Sequence, residues 1–499
     1  MNENIQNLVN RIKVYYMSAQ SFEEMSSLPA LVPFDERVID FLSELSSAIR
    51  KDPEAKANPV IQTFAFFIRR SNLLQLKERH DTKGRIGKGL SLHIAPSNVP
   101  INFAYSMVSG LLAGNPCIVR ASSKDFEETK IICRLIESLS KKDEIDKGDL
   151  TDQKYENAVN NVTDHKDAYD QNDVYDRNNI NKQNETYANN GLNDIYPINK
   201  YVSVISYAHD KEITDYLSSL VNVRVIWGGD NTISEIRKSP IRPRCTEVCF
   251  ADRYSMLMID ASYLISRSAD DSYMEQTAKM FYNDTYLFDQ NACGSPRLIY
   301  WYGNEADIEK AKKIFWDAVH TSLIGRYDIQ PVIAVDKTTM TYKASAEIPG
   351  CKIVPTEDNI ITRVMIADLT KLPEGKSLAD FEAPGGFFFE YDSGSLEALK
   401  AIVDERFQTL TYICQDAVSD VDGRNSVSGA FSKDSEEDND KVVANKSDID
   451  VLTRAEIINF ITTNGLKGID RVVPIGHSAD FDLVWDGYDL INYYTRVIG

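Results

Sequence analysis

Short apolar runs alternate with amphipathic ones from residue 90 to residue 238, and this alternation restricts the fold more than any other feature of the chain. Segments 90–95, 117–121, 201–207 and 223–227 are apolar and too short for helices, so they read as strands. Segments 100–113, 125–139, 213–220 and 232–238 carry helical patterns between and after them, with Ile131, Ile132, Leu135 and Ile136 on one face of the second. Strands alternating with helices predict a parallel sheet covered on both faces, with ligands beyond the carboxyl ends of the strands. The pattern restarts after Glu247, with strands at 256–259, 298–301, 361–366, 386–390 and 471–475 and helices at 273–286, 305–323 and 454–463. The fold class expected is therefore α/β with two Rossmann-like parallel-sheet domains.

Two segments break this rhythm. Residues 141–199 are rich in Asn and Asp and hold 13 acidic against 7 basic side chains, and the stretch around 417–448 is similarly polar. Neither can bury enough apolar surface to offset the entropy of ordering, so both are predicted to be disordered insertions. A surface loop tolerates such lengthening, since each doubling costs only about 0.6 kcal/mol of closure entropy. The domains expected are an N-terminal and cofactor-binding domain over 1–245, a catalytic domain over 246–469, and a C-terminal segment over 470–499 that oligomerises or returns to the first domain.

The net charge of −20 is concentrated in the insertions, so it implies no special partner, and it argues against nucleic acid. The N-terminus lacks the basic and apolar regions of a signal peptide. The most apolar long stretch, 99–119, is broken by Asn102, Ser106, Ser109, Asn115 and Pro116, which makes it a poor membrane span. Seven cysteines without paired spacing suit a reducing cytoplasm, and no cluster with His completes a metal site beside Cys245 and Cys249.

The chemistry centres on Cys293, in the run Asp289-Gln290-Asn291-Ala292-Cys293-Gly294-Ser295-Pro296. A small residue precedes the thiol and a Gly-Ser-Pro turn follows it, leaving room for a carbonyl to approach the sulfur. A structural cysteine usually sits inside an apolar stripe instead. Gly84-Arg85-Ile86-Gly87-Lys88-Gly89 has the glycines of a dinucleotide fingerprint but precedes its strand, so the fingerprint fails. Ala95-Pro96-Ser97-Asn98-Val99-Pro100, Arg120-Ala121-Ser122-Ser123-Lys124 and Gly228-Gly229-Asp230 all fall at carboxyl ends of strands, where a cofactor would lie. His93, between Leu92 and Ile94, reads as a core histidine, and no residue pairs His209 or His477 with Cys293.

With these motifs in order, the chain resembles the aldehyde dehydrogenase superfamily, and within it the LuxC type of fatty acyl-CoA reductase. The resemblance rests on the run 93–100, Gly114-Asn115-Pro116-Cys117, Arg120 to Ser123, the run 250–255, the Cys293 run, the run 468–476 and Trp485-Asp486-Gly487-Tyr488. It implies an aldehyde dehydrogenase-like fold in which Cys293 attacks an acyl thioester and Asn98 holds the oxyanion. It also implies that Pro96, Ser97, Arg120, Ser122, Ser123, Gly228 and Gly229 bind the cofactor. NAD-preferring relatives have a glutamate where Ser123 stands, between Arg120 and Lys124, so the resemblance points to NADPH. The glutamate that activates water in aldehyde-oxidising relatives corresponds to Glu247, but Glu247-Val248-Cys249-Phe250 lacks the glycines of that motif. Glu247 is therefore read as structural or weakly supporting.

The function expected is NADPH-dependent reduction of an acyl thioester to the aldehyde, the donor being acyl-CoA or an acylated partner protein. An acyl-protein synthetase is the partner that this implies, along with self-association into a dimer or tetramer. Two alternatives stay open: NAD-dependent aldehyde oxidation on the same fold, and a non-catalytic scaffold in an acyl-activation complex.

Overall fold

A computed structural model of the chain describes residues 3–148, 196–356, 358–415 and 451–498. The two insertions expected to be disordered lie for the most part outside the described residues. At the near end of the first, the helix Glu127–Gly148 continues past the expected stop at 139. At its far end a short turn, Ile198–Tyr201, buries Ile198 and Tyr201.

Packing divides the chain into two units, Met1–Phe250 with Asp489–Gly499, and Ala251–Tyr488. The cut falls at 250, not 245, because Thr246–Phe250 pairs as a strand with Val223–Trp227. The expected C-terminal segment is itself shared out: Arg471–Pro474 joins the sheet of the second unit, and Thr495–Val497 pairs with Arg85–Gly87 in the first.

In chain order the strands of the first unit are β1 (Lys13–Met17), β2 (Arg85–Gly87), β3 (Ser91–Ile94), β4 (Cys117–Arg120), β5 (Val202–Ser206), β6 (Val223–Trp227) and β7 (Thr246–Phe250). Its main sheet has the order β1-β5-β4-β3-β6-β7. All neighbours are parallel except β1, an antiparallel edge strand that the sequence pattern does not announce. The strands β3, β5 and β6 are buried at every position, as expected of a sheet covered on two faces. From β3 the chain steps outward through β4 and β5, then returns to the other side of β3 for β6 and β7. The winding therefore reverses between β3 and β6, where open α/β sheets form their ligand crevice. Ile94 is level with Arg120 on one side and Ile226 on the other, so three loops leave the sheet at the same height.

The second unit is a seven-stranded sheet of β8 (Tyr254–Asp260), β9 (Pro296–Tyr302), β10 (Lys352–Val354), β11 (Thr362–Met365), β12 (Phe387–Ser393), β13 (Phe407–Ile413) and β14 (Arg471–Pro474). Their order is β10-β11-β12-β9-β8-β13-β14, parallel apart from the antiparallel edge strand β10. Alternate residues serve two cores. Met256, Met258, Leu298, Tyr300, Phe389 and Leu410 pack on one face, while Leu257, Ile259, Ile299, Trp301 and Phe388 pack on the other. Among the described residues no helix is long and apolar enough to cross a membrane, and no group of three or more His, Cys, Asp or Glu is placed to hold a metal ion.

Candidate functional site

In the first unit the residues singled out for a cofactor gather at the carboxyl ends of β3, β4 and β6. Pro96 is half-buried, and Ser97 and Asn98 are exposed, in the loop that follows β3. After β4, Ser122 is buried and its Oγ accepts the Lys124 amide at 3.2 Å, which leaves Ser123 and Lys124 on the surface of the turn. Arg120 is not a free surface cation. One of its amino groups donates to the Tyr207 carbonyl at 3.0 Å, the guanidinium lies 4.9 Å from the Tyr207 ring centre, and its Nε is buried without a partner. After β6, Gly229 stands at the N-cap of the helix Asp230–Arg237 and, having no side chain, makes no cap bond. A Cβ at Gly228 would press on Thr232 at 3.1 Å, so this glycine keeps the backbone bare where the chain leaves the sheet. Glycines ahead of a helix start and a turn bearing an exposed lysine are suited to a phosphorylated ligand.

His93 is closed off in this unit. Both ring nitrogens are bonded, to Ser106 at 2.8 Å and Ser91 at 2.9 Å, and burial pulls its pKa down to about 3. Glu247 is equally engaged. It bonds Arg224 through one oxygen and Arg237 Nε at 2.7 Å through the other. Burial opposes its charge, but the bonds to Arg237 and Arg224 win and hold the carboxyl below its ordinary range.

In the second unit Cys293 lies at the opposite edge, in the loop that leads into β9. Asp289 and Gln290 both adopt left-handed backbone, φ 51° and 60°, which turns the chain sharply before the thiol. Gln290 anchors that turn. Its Nε2 donates to the carbonyls of Pro296 and Phe387 at 2.9 and 3.0 Å, and its Oε1 accepts the amides of Gly386 and Phe387 at 2.9 and 3.1 Å. All four bonds available to the buried amide are thus made. Beneath it, Lys337 donates to the carbonyls of Asn359, Ile360 and Gly385, and burial lowers its pKa to about 7. Ser255 at the start of β8 donates to the Cys293 carbonyl at 2.7 Å and accepts the Thr409 amide at 3.2 Å. Gly294 is required by closeness, since a Cβ there would meet the Ser478 carbonyl at 2.5 Å.

The thiol itself is half-buried and is pushed up to about 11. Burial is the main cause and the charge of Asp486 adds to it, while Gln408, Arg471 and the Gly294 amide pull the other way. Burial also pushes Cys245 and Cys249 up to about 11, so ionisation does not single out Cys293. Its placement in a braced, small-residue loop does. Sequence reading found the cysteine and missed Gln290, Lys337, Gln408 and Asp486. Gln290 and Asp486 lay inside recognised motifs, but neither carried a chemical signal of its own there. Asn98 and Cys293 belong to different units. His477 bonds Asp480 at 2.7 Å.

Comparison with known proteins agrees with this architecture. The profile of the acyl-CoA reductase (LuxC) family matches residues 3–337, a span that includes Asn98, Arg120, Gly228 and Cys293. The long-chain acyl-protein thioester reductase of Aliivibrio fischeri is 23% identical over 221 residues, 44% of this chain and 33% of that protein. Its namesake from Vibrio harveyi is 25% identical over 231 residues, 46% of this chain and 35% of that protein. The matched stretch thus spans about a third of the length of these curated relatives. Among solved structures, aldehyde dehydrogenase 21 from Physcomitrella patens superposes with a TM-score of 0.53 at 10% identity, covering 99% of this chain and 89% of that one. A salicylaldehyde dehydrogenase from Pseudomonas putida G7 gives 0.53 at 12% identity, over 95% and 86%. These likenesses establish the aldehyde dehydrogenase fold, and the profile match across well over half of its length places the chain in the LuxC family of acyl-CoA reductases.

Proposed function

We propose that this chain reduces an acyl thioester to the aldehyde with NADPH, through an acyl group carried on Cys293. The braced loop that presents this cysteine, in a chain of the acyl-CoA reductase family, is the observation that carries the reading. In the first half-reaction the Cys293 sulfur bonds to the acyl carbon and the bond from that carbon to the departing sulfur breaks. The proton of Cys293 ends on the departing thiol. Asn98 is assigned the negative oxygen by resemblance to the superfamily, and its test is kinetic.

The first unit fits a dinucleotide: the buried unpartnered Nε of Arg120 suits a phosphate, and the lack of side chains at Gly228 and Gly229, before the helix Asp230–Arg237, lets one approach closely. Pro96, Ser97, Ser122, Ser123 and Gly229 complete the set assigned to it. When bound, the nicotinamide supplies the hydride that releases the acyl group as aldehyde. Ser123 and Lys124 face solvent where an NAD-binding glutamate would repel a 2′-phosphate, which favours NADPH. The ion pairs of Glu247 with Arg224 and Arg237 support reduction over aldehyde oxidation, because a base for water must be free to take a proton. The acyl donor is acyl-CoA or an acylated partner protein. An acyl-protein synthetase as partner and a dimeric or tetrameric assembly belong to the same reading.

The test is NADPH consumption with a series of acyl-CoA substrates, with the aldehyde trapped and identified. Aldehyde formed in proportion to NADPH consumed is the expected result. Oxidation of added aldehyde with NAD, without thioester reduction, would overturn the reading.

A further inference from the structure

The reaction as described makes no use of Asp284, a buried carboxylate at the end of the helix Asp271–Thr285 in the second unit. The place is unfavourable for an acid. The last turn of a helix carries the negative end of its dipole, and this one holds no basic residue. Burial raises the carboxyl to about 6, against the pull of two backbone amides. Stability contributed by this group is therefore lost as pH rises through about 6, and the fold keeps at neutral pH a charge that weakens it. What the charge does is grip a distant segment. Its Oδ2 accepts the Gly476 amide at 2.6 Å and its Oδ1 the Ser478 amide at 2.9 Å. Arg471 of β14 takes the carbonyl side of the same segment, donating to Ser478 and Asp480 at 3.1 and 2.9 Å. Held in this way, the Ser478 carbonyl lies so near Gly294 that a Cβ there would meet it at 2.5 Å. Gly294 directly follows the thiol. The next helix residue, Thr285, accepts the Gln290 amide at 2.6 Å. One helix end is thus tied to the chain before Cys293 directly and to the chain after it through the held segment.

We propose that Asp284 is a positioning residue for Cys293: its carboxylate clamps the Gly476–Ser478 segment against Gly294 and so fixes the chain that follows the thiol. The inference rests on the reading of Cys293 as the nucleophile. Two amides need two acceptors, and a carboxylate has two equivalent oxygens to offer. Asparagine has one, and protonation turns one oxygen of the acid into a hydroxyl donor. Both changes are expected to release the segment. On the elements that pack against Asp284, the titratable and charged groups are His477, bonded to Asp480 at 2.7 Å, and Arg471.

The clamp is tested in the whole chain by following thioester reduction between about pH 5 and about pH 8. The unaltered chain is expected to lose rate as pH falls through about 6. Asp284→Asn is expected to lower kcat at neutral pH by about 10- to 100-fold with KM little changed, the loss that a misplacement of about 1 Å brings. It is also expected to abolish the acid limb, which a merely structural role would leave in place. His477→Gln is expected to keep that limb. Alkylation of Cys293 by iodoacetamide should quicken by about threefold or more in Asp284→Asn, with Cys414, buried in the same unit, unchanged. If the asparagine variant does not fold, hydrogen exchange of the unaltered chain decides. The amides of Gly476 and Ser478 are then expected to lose protection between about pH 7 and about pH 5, after correction for intrinsic rates. An acid limb that survives in Asp284→Asn, or amides that keep their protection, would overturn the clamp. A Cys293 that alkylates faster in the variant yet never accepts an acyl group would overturn the nucleophile and leave the clamp standing.

Discussion

The two units use parallel sheets in opposite ways. In the first, the candidate ligand residues lie beyond the carboxyl ends of β3, β4 and β6, flanking the reversal of winding. Glycines and the start of the helix Asp230–Arg237 stand there. In the second, the thiol lies at the amino edge, among the starts of β8, β9, β12 and β13, and its neighbours are buried side chains whose hydrogen bonds are made internally. A crevice at carboxyl ends follows from topology alone, because helix starts and loop amides converge there. A thiol at the amino edge needs bracing of its own, which Gln290 and Ser255 supply.

If this division of labour holds, damage to one unit should spare the property of the other. The largest effect belongs to Cys293→Ser, expected to lower thioester reduction by about 10⁴-fold or more. NADPH affinity, measured by fluorescence titration, should stay within about twofold, since the crevice residues are untouched. Asn98→Ala comes next. Loss of one oxyanion donor is expected to lower kcat by about 10² to 10³, with KM little changed. A change in KM alone would show that Asn98 contacts the ground state and not the negative oxygen.

Most elements of both sheets were legible as apolar periodicity, because a strand buried on both faces has little choice but Val, Ile and Leu. Val223–Trp227 and the helices Glu305–Leu323 and Arg454–Thr463 stand where the pattern put them. The edge strands β1 and β10 were not legible, since their exposed positions admit Lys, Tyr and Ile alike. The strand β13, Phe-Gln-Thr-Leu-Thr-Tyr-Ile, was hidden by its polar residues, although every position is buried. Its Gln and Thr side chains are satisfied by partners distant in sequence, such as Asp486 and the Met256 carbonyl, and no local pattern announces those. The same reason concealed Gln290, whose four hydrogen bonds reach 97 residues along the chain.

Smaller effects sharpen the comparison further. Ser123→Glu is expected to weaken NADPH binding by about tenfold and to improve NADH, because a carboxylate repels the 2′-phosphate. Alkylation of Cys293 in that variant should keep its rate. Glu247→Gln is expected to lower stability by about 3 kcal/mol, read as a lower thermal midpoint, since Arg224 is buried and would lose its charge partner. Reduction in that variant should change little at a temperature where it is folded. A large loss of rate without a loss of stability would return Glu247 to the chemistry.

The central claim is that the acyl group passes through Cys293, and it can be tested before any hydride moves. The chain is incubated with acyl-CoA in the absence of nicotinamide, digested, and searched by mass for the acylated peptide. The account expects the acyl group on Cys293, removable by hydroxylamine, and none on Cys245 or Cys249. Thioester reduction at an undiminished rate by Cys293→Ser, or acyl label on another residue while Cys293 stays free, would contradict it.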